Sequence, residues 1–150
     1  AEMSAKEVCI IPTQTMPQGV AALLAFDPDG AFDDVCAAMR AGAAEVQSGE
    51  ITTATRSVVW NGHNISKGQI IGMQNGEIAC VGDTPSDCTL ELLRIIGTAE
   101  YDLVTLYYGE ETDPTAAEGL QAEIEACFSE VTVETYPGRQ PYFHYILSVE

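Results

Sequence analysis

The chain has 150 residues, 46% of them apolar and 19% charged, with 23 acidic against six basic side chains and a formal charge of −17. Such a composition belongs to a folded domain rather than a disordered acidic tail, and its sign argues against nucleic acid and anionic membrane surfaces as partners. No apolar run approaches the ~20 residues that insert across a bilayer, which excludes membrane insertion by a helix.

In chain order, Val8–Ile11 reads as a short buried strand stopped by Pro12. Thr15 is a candidate N-cap for a helix over Pro17–Phe26, which Asp27–Gly30 breaks. A second helix is predicted from Phe32 to Gln47, with Gly49 as its C′ residue. The opening strand has no neighbour before it and residue 1 is not Met. The chain is therefore expected to be a piece of a longer protein, with Val8–Ile11 a sheet edge that pairs elsewhere or is covered. From Ile51 to Trp60 the pattern becomes strand-like, and Asn61-Gly62 and Asn75-Gly76 are two-residue hairpin signals, predicting an antiparallel meander. Thr84 with Asp87 resembles a capping box, opening a helix that buries Cys88, Leu92, Ile95 and Ile96 before Gly97.

Asp102–Gly109 then reads as a buried strand, and Asp113-Pro114 opens a helix with Ala117, Leu120, Ile124, Cys127 and Phe128 on one face. Val131–Tyr136, the turn Pro137-Gly138 and a last strand over Tyr142–Val149 follow. Strand, helix, strand at this spacing is a βαβ unit. The fold class is therefore α/β, with α+β as its alternative: a mixed sheet with a βαβ unit, a hairpin meander and helices packed on the sheet. We divide the chain into residues 1–49, a strand and two helices trailing an upstream α/β subdomain, and residues 50–150, a C-terminal α/β subdomain.

Few residues declare chemistry. The five cysteines (Cys9, Cys36, Cys80, Cys88 and Cys127) show neither Cys-x-x-Cys nor a zinc spacing, and are expected to be buried, reduced thiols of a cytoplasmic protein. No Gly-rich phosphate loop occurs, and Asp27-Pro-Asp-Gly30 lacks the further oxygens of a calcium loop. Glu110, Glu111 and Asp113 follow a strand's carboxyl end, where open α/β sheets place ligands, but they complement the next helix N-terminus better than they suit a phosphate. His63, just past a hairpin signal, is expected to be solvated. Two groups remain as candidate partner or ligand sites. Thr13, Gln14, Thr15 and Gln18 gather hydroxyls and amides at a helix start, suited to an anion or to capping. Gly138, Arg139, Gln140, Tyr142 and His144 crowd a cation, an amide, a histidine and aromatics together, which suits a carboxylate or an interface hot spot. No catalytic set and no metal site is legible.

Two motifs are more specific. Ile11-Pro-Thr-Gln-Thr-Met-Pro-Gln-Gly-Val-Ala-Ala-Leu-Leu-Ala-Phe26 resembles a signature of the C-terminal region of the fatty acid kinase FakA family, which is related to dihydroxyacetone kinases. Gly138-Arg-Gln-Pro-Tyr-Phe-His-Tyr-Ile-Leu-Ser-Val-Glu150 is similar to that family's closing motif, and Asn75–Ile78 and Tyr107–Glu111 fall in the family's order. Where the family commonly has a second glycine ahead of Gln-Pro, this chain has Arg139. The resemblance implies a fragment of a DegV- or FakB-like fold, with ATP and magnesium handled by an N-terminal domain absent from this sequence and no cofactor held in this segment. It further implies a non-catalytic recognition domain of a cytoplasmic bacterial kinase component, docking an acyl-loaded FakB-type carrier and leaving a homodimer open. The alternatives are a fatty acid- or lipid-binding domain of the DegV type and a partial active site of a dihydroxyacetone kinase-like enzyme.

Overall fold

The computed structural model describes residues 6–60 and 63–150, with the backbone alone at His63. They fall into two compact units, Ala1–Val46 and Gln47–Glu150.

In the first unit the strand expected at Val8–Ile11 does not form. The segment has no regular secondary structure, and Val8 is 48% and Ile10 71% exposed. Its β-branched residues give it strand propensity, but the described part of its unit holds no second strand to complete a ladder. Helix α1 (Met16–Leu24) starts where expected, capped by the Thr15 hydroxyl, which accepts from the Gln18 N–H at 3.5 Å. The helix stops at Leu24, short of the expected Phe26, and beyond it the Asp27 carboxylate accepts from the Asp29 N–H at 3.0 Å in a local turn. Helix α2 (Phe32–Glu45) follows and stops short of the expected Gln47. Gly42 lets α1 approach it: a Cβ there would lie 3.1 Å from the Ala21 carbonyl oxygen.

The second unit is built on a six-stranded mixed sheet. Its strands are β1 (Gln47–Thr53), β4 (Ile70–Gln74), β5 (Glu77–Gly82), β6 (Leu103–Tyr108), β7 (Thr132–Pro137) and β8 (Phe143–Val149), in the order β5-β4-β1-β8-β6-β7. Only β6 and β7 are parallel, joined through helix α4 (Pro114–Cys127) as the βαβ unit; the other pairs are antiparallel. The single strand expected over Ile51–Trp60 is two. The chain leaves the sheet after Ala54, and β2 (Val58–Trp60) pairs with β3 (His63–Ile65) as a separate two-stranded sheet. The Asn61-Gly62 turn and the His63 side chain lie outside the described residues. At the other hairpin Asn75 has φ +50° and Gly76 φ +86°, the left-handed pair that a two-residue turn demands. Gly49, expected to cap α2, lies in β1, where a Cβ would fall 2.6 Å from Leu147 and 3.0 Å from Leu92.

Helix α3 (Pro85–Ile96) is capped by Thr84, which accepts from the Asp87 N–H at 3.1 Å and donates to its carboxylate at 2.7 Å. Leu92, Leu93 and Ile96 of α3 and Ala117, Leu120 and Ile124 of α4 share one apolar core. Val104 and Leu106 of β6 and Tyr145, Leu147 and Val149 of β8 join it. These are alternate residues, so both helices cover the same face of the sheet. Ile95 and Cys127, expected in that core, are exposed, and Leu93 is buried instead. The α3 stripe runs through positions 92, 93 and 96, which carries Ile95 out to its flank.

Candidate functional site

Strand order brings three chain ends to one rim of the sheet. β1 ends at Thr53, β6 ends at Tyr108, and β8 begins between them at Phe143. The segment entering β8, residues 138–142, is tied down along its length. The Gly138 and Arg139 N–H groups donate to the Tyr108 carbonyl at 3.0 and 3.3 Å, and the Gln140 amide donates to the Tyr107 carbonyl at 2.9 Å. The Glu110 N–H donates to the Gln140 carbonyl at 3.2 Å, and the Thr52 hydroxyl to the Tyr142 carbonyl at 2.6 Å. Within this well-bonded loop Arg139 has φ +56° and Tyr142 φ +69°. Side chains seldom adopt this left-handed conformation, and it persists only where the surroundings over-determine it.

His144 sits in a β-bulge. The β1–β8 register runs Ile51 to Tyr145 and then Thr52 to Phe143, which leaves His144 as the extra residue. A bulge re-aims the side chain it carries. The His144 carbonyl accepts from the Gly109 N–H at 2.9 Å and the Thr112 hydroxyl at 3.1 Å, while its Nε2 lies 2.9 Å from the Thr53 hydroxyl. The ring is half-buried and partnered by a side chain.

These groups wall a cleft of about 300 Å3 whose lining includes Thr53, Lys67, Glu111, Gln140, Tyr142 and His144. The acidic loop after β6 and the aromatic turn before β8 therefore share one site, a juxtaposition the sequence left undetermined. Asp113 is engaged as the cap of α4: the Thr115 hydroxyl and N–H both donate to its Oδ1, holding its carboxyl below the usual aspartate range. Glu110 and Glu111 remain exposed at the rim. Beside the loop Tyr107 and Tyr136 stack with ring centroids 6.1 Å apart. Sequence reasoning missed Thr52, Thr53 and Lys67, since only the fold delivers residues that distant in the chain to the rim.

Thr13, Gln14, Thr15 and Gln18 belong to the other unit. There Gln18 accepts from the Gln14 N–H at 3.0 Å while Thr15 caps the same helix, so the polar cluster is bonded within itself. Among the described residues no group of three or more His, Cys, Asp or Glu side chains is placed to hold a metal ion, and no helix is long and apolar enough to cross a membrane.

The molecule is thus an α/β protein with an exposed, strained loop at the carboxyl end of its parallel strand pair. A family model for the C-terminal region of FakA-like fatty acid kinase proteins matches residues 1–150, and the chain belongs to that family. It is 34% identical over 145 residues to protein YloV of Bacillus subtilis, covering 97% of this chain and 26% of that protein. It is 29% identical over 144 residues to a protein of Staphylococcus haemolyticus, again 26% of its length. The chain therefore spans about a quarter of the length of these relatives. Among solved structures it is similar to a DegV family protein from Thermus thermophilus described for fatty acid binding, with a TM-score of 0.46 and 13% identity over 81% of this chain and 51% of that one.

Proposed function

We propose that this chain is the carrier-docking part of a FakA-type fatty acid kinase component: it recognises an acyl-loaded FakB-type carrier, while ATP and magnesium are bound by other parts of the longer protein. One observation supports this most directly. Tyr142 is 86% exposed, yet its backbone is held in a left-handed conformation and bonded to Thr52. A large aromatic displayed on a rigid loop loses little conformational entropy on binding, which is what an interface anchor requires. Arg139 stands on the same loop, and Glu110 and Glu111 flank it as a polar rim.

Parallel calorimetric titrations of the chain with loaded carrier and with free fatty acid test the reading. Docking requires saturable heat with the carrier; heat with free fatty acid alone sinks it.

A second reading, a lipid-binding domain, draws on a different feature. In the 1–46 unit Leu23, Phe26, Phe32, Val35 and Met39 line an apolar groove of about 360 Å3, a volume within the range of small-molecule pockets. Saturable fatty acid binding without carrier, abolished by Met39→Glu, is the outcome that reading requires.

A further inference from the structure

We propose that Cys80 and Cys88 form an oxidisable thiol pair, a modification site at which a peroxide closes a disulfide between the sheet's edge strand β5 and helix α3. Their Sγ atoms lie 3.6 Å apart, in hydrogen-bond contact but unbonded. The surroundings are shaped to bring them together. The β4–β5 register runs Gly72 to Cys80 and then Met73 to Ile78, so Ala79 is a bulged residue directly beside Cys80. Across from it Gly72 leaves room for both sulfurs: a Cβ there would lie 2.6 Å from Cys80 Sγ and 3.2 Å from Cys88 Sγ. Gly82 lets the first turn of α3 press down on β5, since a Cβ there would meet the Cys88 Cβ at 2.7 Å.

The two thiols are not equivalent. Cys88 is wholly buried, whereas Cys80 keeps 8% exposure and lies on the edge strand of the six-stranded sheet. The hydrogen bond between them lowers the Cys80 thiol and raises the Cys88 thiol. Cys80 is therefore the attacking sulfur and Cys88 the resolving one. The Cys80 thiolate attacks one oxygen of hydrogen peroxide, the O–O bond breaks, and the departing hydroxide takes up a proton as water. The resulting Cys80 sulfenic acid is attacked by Cys88, whose proton leaves with the displaced hydroxide as a second water. Two thiols lose two electrons, and one peroxide becomes two waters.

The test treats the chain with hydrogen peroxide, unfolds it, alkylates remaining thiols and digests it with trypsin together with a protease that cuts before aspartate. Cleavage after Lys67 and before Asp83 and Asp87 separates Cys80 from both Cys36 and Cys88. The expected product is a single cross-linked species of the two fragments, lighter by two hydrogens, which dithiothreitol resolves into two alkylatable peptides. In the Cys88→Ser protein, dimedone should trap a sulfenic acid at Cys80. Peroxide should raise the melting temperature of the wild-type chain and leave that of Cys80→Ser unchanged. The proposal is overturned if exposed Cys127 oxidises while Cys80 and Cys88 stay fully alkylatable. It fails equally if Cys80 is driven to sulfinic acid with no cross-link, or if the disulfide recovered joins other cysteines.

Discussion

Gly109 and Phe143 touch through their backbones: a Cβ on the glycine would lie 2.0 Å from the Phe143 carbonyl oxygen. The end of β6 and the start of β8 thus meet with no space for a side chain between them, and Gly109 also donates its N–H to His144. This contact sets where the 138–142 loop and its aromatic residues stand on the rim.

Gly109→Ala should therefore be disruptive even though alanine is the smallest side-chain addition. We expect a loss of at least about 2 kcal/mol, since the obstructing atom is backbone and cannot rotate away. Chemical denaturation measures it; an unchanged midpoint would mean that the two strand ends separate freely.

Arg139→Gly should move stability and binding in opposite directions. Glycine adopts φ +56° without strain, so the variant should gain about 0.5–1 kcal/mol in denaturant unfolding after glycine's own entropy cost is subtracted. It should simultaneously weaken carrier binding by removing the guanidinium. A variant that binds as well as the parent would reduce Arg139 to a strained bystander.

Docking kinetics should separate anchor from rim. Tyr142→Ala and Arg139→Glu are expected to speed dissociation, for the tyrosine by about 30-fold if it is a hot spot. Glu110→Lys should instead slow association, by less than about tenfold, as should raised ionic strength. Stopped-flow traces in which Tyr142→Ala alters only the association rate would contradict the anchor assignment.

Glu50 offers a pH test. It lies on β1, and burial raises its carboxyl above the ordinary 4.5, so the folded state favours the protonated form. Its contribution is fully present below the unfolded value and is lost as pH rises through the folded one. Glu50→Gln should thus stabilise the chain near neutral pH, and the gain should shrink as pH falls through the raised folded value and be gone below about 4.5. Thermal melts across this range check the sign; a gain that grows in acid would reverse it.

Local chemistry made much of the fold legible. Asp113-Pro114, Thr84 and Asn75-Gly76 act within four residues of themselves, and each occurs as read. What escaped depends on distant partners. Val8–Ile11 has strand composition but no strand beside it in the described residues of its unit. The His144 bulge is invisible in an alternating pattern, because β1 and β8 must be laid side by side before an extra residue exists. The candidate site was legible only in its second half: Arg139, Gln140, Tyr142 and His144 lie close together in sequence, whereas Thr53 and Lys67 reach the cleft only through the fold.

The placement of β8 bears on how the chain acquires its structure during synthesis. β8 is the last strand in the sequence, yet it lies between β1 and β6, joining the β1-β4-β5 meander to the β6-α4-β7 unit. Until residues 143–149 clear the ribosome, those two halves have no strand ladder between them and each presents a raw edge to whatever is nearby. The sheet is completed from its middle, by insertion. A nascent chain stalled before Phe143 is accordingly the species most in need of a chaperone, and loss of the last few residues removes the centre of the sheet rather than trimming its border.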